Sequence, residues 1–142
     1  MEMFSFSEKE KEILHSAGIE ALVLFGSRAR GTEGSASDFD VGVLFGAGHV
    51  LVPSDTRTRV YNTLYDLLSL HAGRARPMAD IDIVFLGSAP MELQSHVATH
   101  GVSIYEEHPL AFARFRERVM DVYADFAPLR RIFHEAILAR IP

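Results

Sequence analysis

The sequence predicts an α/β or α+β sandwich around a small sheet, and three observations carry that prediction. Short apolar runs of strand character alternate with amphipathic helical stretches along the whole chain. Glycine, proline or serine stands where one period gives way to the next. The length of 142 residues, with 48% hydrophobic and 23% charged, suits one globular domain able to bury a core without covalent staples.

Ser7 and Glu10 have the spacing of a capping box and open a first helix, which Gly18 closes after Ile13, Leu14 and Ala17. Ala21 to Phe25 is an apolar run read as a buried strand ending at Gly26. The glycine- and serine-rich stretch from Gly26 to Ser37 predicts a turn into a short helix and then a loop. Asp38 to Phe45 alternates as a second strand, with Asp38 and Asp40 on one face and Phe39, Val41, Val43 and Phe45 on the other. Asp55 or Ser54 caps a long helix running to about His71, with Val60, Leu64, Leu67 and Leu68 as its apolar stripe and Gly73 beyond its end. Ala79 to Leu86 is a third strand, placing Asp80, Asp82 and Val84 on one face and Ile81, Ile83 and Phe85 on the other.

Pro90 opens a helix to His100 that Gly101 closes, and Val102 to Tyr105 reads as a short edge strand. Two amphipathic helices follow. The first carries Phe112, Phe115, Val119, Val122, Tyr123 and Phe126, and the second, after Pro128, carries Leu129, Ile132, Phe133, Ala136 and Ile137. With no repeat or linker in view, the expectation is a single domain over 1–142, its core about 7–106 and its C-terminal helices about 108–141.

Composition narrows the function. A net charge of −5 argues against stable, salt-dependent binding of DNA or RNA. The absence of cysteine excludes disulfides, thiolate metal sites and cysteine nucleophiles. The longest apolar stretch, Val41 to Pro53, is broken by glycines and His49 and falls short of the roughly 20 residues a spanning helix needs. The N-terminal segment is acidic where an export signal would be basic and then apolar. A soluble, cytoplasmic protein with no membrane partner is expected.

Two features define a candidate site. The glycine-serine turn directly after the first strand offers outward-pointing N–H groups at Gly26 and Ser27 that suit a phosphate chain, with Arg28 and Arg30 able to pair with phosphate oxygens. Asp38 and Asp40, spaced i, i+2, project from one strand face about 7 Å apart at the Cα level, given about 3.4 Å of rise per residue. That spacing is suited to bridging by Mg²⁺, a hard cation that takes carboxylate and phosphate oxygens. Asp82 on the third strand is placed to add a further carboxylate, and Asp80 shares its face. Asp40 lies inside an otherwise apolar strand, where an unpaired carboxylate is costly.

On these residues the sequence resembles the minimal nucleotidyltransferases of the DNA polymerase β superfamily. The match lies in GSRARG (Gly26 to Gly31), SDFDVGV (Ser37 to Val43) and IDIV (Ile81 to Val84). The stretch from Ser88 to Glu107, followed by an amphipathic tail, is similar to the longer MntA-type members, antitoxins encoded beside HEPN-domain toxins of the HepT type. The resemblance implies a polymerase β-like fold, a small mixed sheet flanked by helices with a C-terminal helical extension. It also implies Gly26 and Ser27 as triphosphate contacts, and Asp38, Asp40 and Asp82 as catalytic carboxylates and metal ligands. Asp82 is favoured over Asp80 because it sits between Ile81 and Ile83 as the family's acid does. The implied reaction is transfer of AMP from ATP, with Mg²⁺ and two ions expected, to a tyrosine hydroxyl of the cognate HEPN toxin.

Two other functions remain beside that one: transfer to a small-molecule or RNA hydroxyl, and a non-catalytic antitoxin that neutralises its toxin by binding. Other features read more plainly. His96 and His100 have a zinc-compatible helical spacing but no third ligand, and are read as surface residues. Arg57 and Arg59 read as an exposed helix face. The aromatic tail helices read either as core or as a surface for a partner.

Overall fold

The computed structural model describes residues 4–26, 39–46, 54–75 and 80–140. Five helices and four strands follow one another as α1 (Glu8–Ser16), β1 (Ile19–Phe25), β2 (Phe39–Phe45), α2 (Ser54–Ala75), β3 (Ile81–Phe85), α3 (Met91–His100), β4 (Val102–Glu106), α4 (Ala111–Asp125) and α5 (Ala127–Leu138). A 3-10 turn at Leu86–Ser88 links β3 to α3. The four strands form one mixed sheet in the order β3-β2-β1-β4. β1 runs antiparallel to β2 and β4, and β2 runs parallel to β3, as a connection through a long helix requires.

The capping box forms as expected: the Ser7 hydroxyl accepts from the Glu10 N–H at 3.1 Å, and the Glu10 carboxylate accepts from the Ser7 N–H at 2.9 Å. Gly18, at φ 80°, supplies the left-handed residue that turns the chain from α1 into β1. Two expectations need correction. α2 begins at Ser54, so Ser54 and Asp55 lie in its first turn and not before it. It also continues past His71 through Gly73 to Ala75. Gly73 does not end the helix because the helical pattern is carried on by tertiary packing, with His71 and Ala72 both buried.

Each face of the sheet has its own core. On one, Leu22, Leu24, Phe39, Val41, Val43, Ile81 and Ile83 pack against α1, α2 and the preceding Phe4 and Phe6. On the other, Ala21, Val23, Phe25 and Leu44 meet α3 and α4 through Val97, Ala98, Phe112, Phe115 and Val119. The alternation within β2 and β3 sorts their side chains as expected, with Phe45 and Phe85 stacked on the first face at 5.5 Å, but Asp80, expected on the face of Asp82, lies before β3 and bonds to Tyr65 of α2, which packs against the first face. Gly42 faces the second core, where Leu86 folds back over it: a Cβ there would meet Leu86 Cδ1 at 2.7 Å.

The tail divides. Phe112, Phe115 and Val119 enter the core, whereas no residue of α5 is buried, so its apolar stripe is not core. Phe126 joins the two helices in a helical conformation, and Pro128, in the first turn of α5, donates no N–H. No helix among the described residues is long and apolar enough to cross a membrane.

Candidate active site

The register of the sheet brings three of the sequence-derived site residues together. Phe25 pairs with Asp40 across β1 and β2, and Asp40 pairs with Asp82 across β2 and β3. Residues directly opposite in neighbouring strands share a face, so Asp40 and Asp82 project side by side, their strands about 4.8 Å apart. The face is the one that carries α3 and α4. Those helices cover β1, while Asp40 and Asp82, the second residues of β2 and β3, are less covered: Asp40 is half-buried and Asp82 exposed.

Gly26 follows Phe25 and completes the row. Its φ of 78° lies in the left-handed region, and a Cβ there would sit 2.5 Å from Oδ2 of Asp40. The strand therefore turns directly over the Asp40 carboxylate, at a distance only glycine permits. A backbone turn and two carboxylates thus converge at one corner of the sheet. Ser27, Arg28, Arg30 and Asp38 lie outside the described residues.

The two aspartates of β3's approach are separated by their bonding. Asp80 Oδ1 accepts from the Tyr65 hydroxyl at 2.6 Å and from the Ile81 N–H at 2.8 Å. The Tyr65 bond, then that of Ile81, holds the Asp80 carboxyl below its ordinary range. The same contact with Asp80 pushes the Tyr65 hydroxyl up. Asp80 thus fastens the start of β3 to α2, while Asp82 is the register partner of Asp40. Sequence reasoning missed Tyr65: a helix residue 15 positions before Asp80 gives no local signal of the pairing.

The donor set suits a hard dication. Two carboxylates on adjacent strands repel one another, and a divalent cation between or beside them offsets that repulsion while leaving positions for phosphate oxygens. Among the described residues no group of three or more histidines, cysteines or acidic side chains converges, and His96 with His100, their rings 5.0 Å apart, stay a pair.

The family model described as polymerase beta nucleotidyltransferase matches residues 8–109. A chain from a crystal structure of a toxin-antitoxin with AMP-PNP is 22% identical, with a TM-score of 0.66 over 90% of this chain and 94% of that one. A chain of a toxin-antitoxin MntA-HepT crystal structure is 20% identical, with a TM-score of 0.61 over 92% and 94%. A chain from the tri-AMPylated Shewanella oneidensis HEPN toxin in complex with MNT antitoxin is also 20% identical, with a TM-score of 0.61 over 92% and 93%. At these identities the likeness is one of fold. No curated protein matches the chain.

Proposed function

From the premise that the chain belongs to the polymerase beta nucleotidyltransferase family, we propose that it transfers AMP from ATP to a tyrosine hydroxyl of a cognate HEPN-domain toxin and so acts as an antitoxin. The observation that carries this reading is the corner where Gly26 turns over Asp40 and Asp40 stands in register with Asp82. The structural neighbours support the choice of nucleotide and partner, since they are described with AMP-PNP and with an AMPylated HEPN toxin.

In this reading the chain's residues divide the work between holding and orienting. The Gly26 turn, with Ser27, presents N–H groups to the triphosphate, and Arg28 and Arg30 pair with its oxygens. Asp38, Asp40 and Asp82 hold Mg²⁺, which when bound offsets charge on the attacking and departing oxygens. Asp82, exposed at the outer strand, faces the acceptor and takes the proton of the tyrosine hydroxyl. That oxygen attacks the α-phosphorus, the bond to the bridging oxygen breaks, and pyrophosphate leaves. A tyrosine acceptor, with an ordinary pKa near 10, needs less activation than a sugar hydroxyl.

The test is incubation with labelled ATP, Mg²⁺ and the HEPN protein encoded by the neighbouring reading frame. Label is expected on a tyrosine of that protein, and Asp40→Ala is expected to abolish it. Neutralisation of the toxin by Asp40→Ala at full strength, without label, would instead make the chain a binding antitoxin.

A further inference from the structure

We infer that α5 is a docking arm that holds the acceptor protein, gripping an apolar helical groove whose rim is acidic. This deepens the proposed function and rests on it for the identity of the acceptor.

The arm is built from the junction of α4 and α5. The Phe126 N–H donates to the Val122 carbonyl at 3.2 Å and the Arg130 N–H to the Phe126 carbonyl at 3.0 Å, so Phe126 caps both helices with no intervening loop. No residue from Met120 to Arg140 is buried. At about 1.5 Å of rise per residue, the twelve residues of α5 alone are about 18 Å long.

Its base is fastened. The Arg130 guanidinium stacks 3.5 Å from the centre of the Tyr123 ring, and the Tyr123 hydroxyl donates to Glu92 of α3 at 3.0 Å. The arm therefore leaves the body in a set direction.

The surface it presents is apolar along one side. Leu129, Ile132, Phe133 and Ile137 follow helical spacing and are 44%, 60%, 60% and 61% exposed. An isolated helix of twelve residues is marginal in water, and four large apolar side chains in one exposed stripe are a cost to a chain that stays alone. Amphipathic helices dock by such stripes into helical grooves.

Charge selects the occupant. Residues 127–140 carry Arg130, Arg131 and Arg140 against Glu135 alone, on a chain whose net charge is −5. Two copies meeting through this face would bring both sets of arginines together, which disfavours a self-pairing. An acidic rim on a different protein complements it.

The test uses the full-length chain, the HEPN protein as acceptor, and the exposed-site variants Ile132→Asp with Phe133→Asp, and Arg131→Glu. Titration calorimetry is expected to show affinity for the acceptor falling at least tenfold in the double variant. Arg131→Glu is expected to flatten the salt dependence of that affinity. In the transfer assay KM for the acceptor rises at least tenfold while kcat at saturation stays within about twofold and AMP-PNP binding is unchanged. Unaltered affinity in the double variant overturns the docking arm even if transfer occurs. Binding without any transfer overturns the proposed reaction and leaves the arm tested by affinity alone, and loss of both in the native chain overturns both. Sedimentation showing a dimer that Phe133→Asp dissociates, or binding to phosphatidylserine vesicles that the double variant abolishes, assigns the stripe to another occupant and also overturns it.

Discussion

The Tyr65 hydroxyl donates a 2.6 Å hydrogen bond to Oδ1 of Asp80, two residues before the carboxylate that stands in register with Asp40. The contact gives neighbouring aspartates of one segment separate duties, one tying β3 to α2 and the other facing the candidate site.

Paired variants follow from that separation. Asp82→Asn is expected to lower transfer by about 100-fold or more, roughly 3 kcal/mol at 1.36 kcal/mol per decade. Asp80→Asn and Tyr65→Phe are expected to keep most of the activity and to melt at a lower temperature. Initial rates with labelled ATP, together with thermal melts of all three, check this; equal loss from Asp80→Asn and Asp82→Asn would remove the distinction.

Gly26→Ala combines two penalties. A left-handed backbone costs a non-glycine residue about 1–2 kcal/mol, and the new methyl would stand 2.5 Å from Asp40 Oδ2. Urea denaturation should show at least that loss of stability, and transfer should fall further than the stability does, because the Asp40 carboxylate must move.

Gly101→Ala tests a different closeness. Gly101 has φ −71°, so no strain arises from its backbone, but a Cβ would lie 2.5 Å from both Val23 Cγ1 and the Val97 carbonyl oxygen. Part of that obstacle is backbone, which cannot rotate away. A destabilisation of about 1–3 kcal/mol is expected from overpacking, read from the urea midpoint, with α3 pushed from the sheet.

The capping box predicts a dependence on pH. The Ser7 N–H, opposed by burial and reinforced by His71, holds the Glu10 carboxyl below its ordinary value of 4.5. A group with a depressed folded pKa contributes stability that is present above its unfolded pKa and lost as pH falls through the folded one. Stability should therefore drop below pH 4.5, and the gap between the native chain and Glu10→Gln should narrow there. Ser7→Ala should cost about 1 kcal/mol at neutral pH. Denaturation midpoints above and below that pH measure both.

Local rules read the backbone frame well. The Ser7–Glu10 cap, the alternation in β2 and β3, and the turn at Gly26 each depend on residues a few positions apart, and each is present. What local patterns do not contain is which strands become neighbours. The pairing of Asp40 with Asp82, the bond from Tyr65 to Asp80 and the lid of Leu86 over Gly42 all join distant segments, and only the assembled sheet expresses them. The same limit explains α5. Its spacing predicts an amphipathic helix, and it is one, but periodicity alone does not say whether an apolar stripe faces its own core or the solvent.

β3 lies at the margin of the sheet and joins β2 only after the whole of α2 has crossed over. Closing so long a loop is entropically slow, so the Asp40–Asp82 pairing forms after the more local pairing of β1 with β2. Detaching this edge strand would part Asp82 from Asp40 while the central pair of β1 and β2 survives. Hydrogen exchange at Ile83 faster than at Val23 would mark β3 as opening before the centre of the sheet.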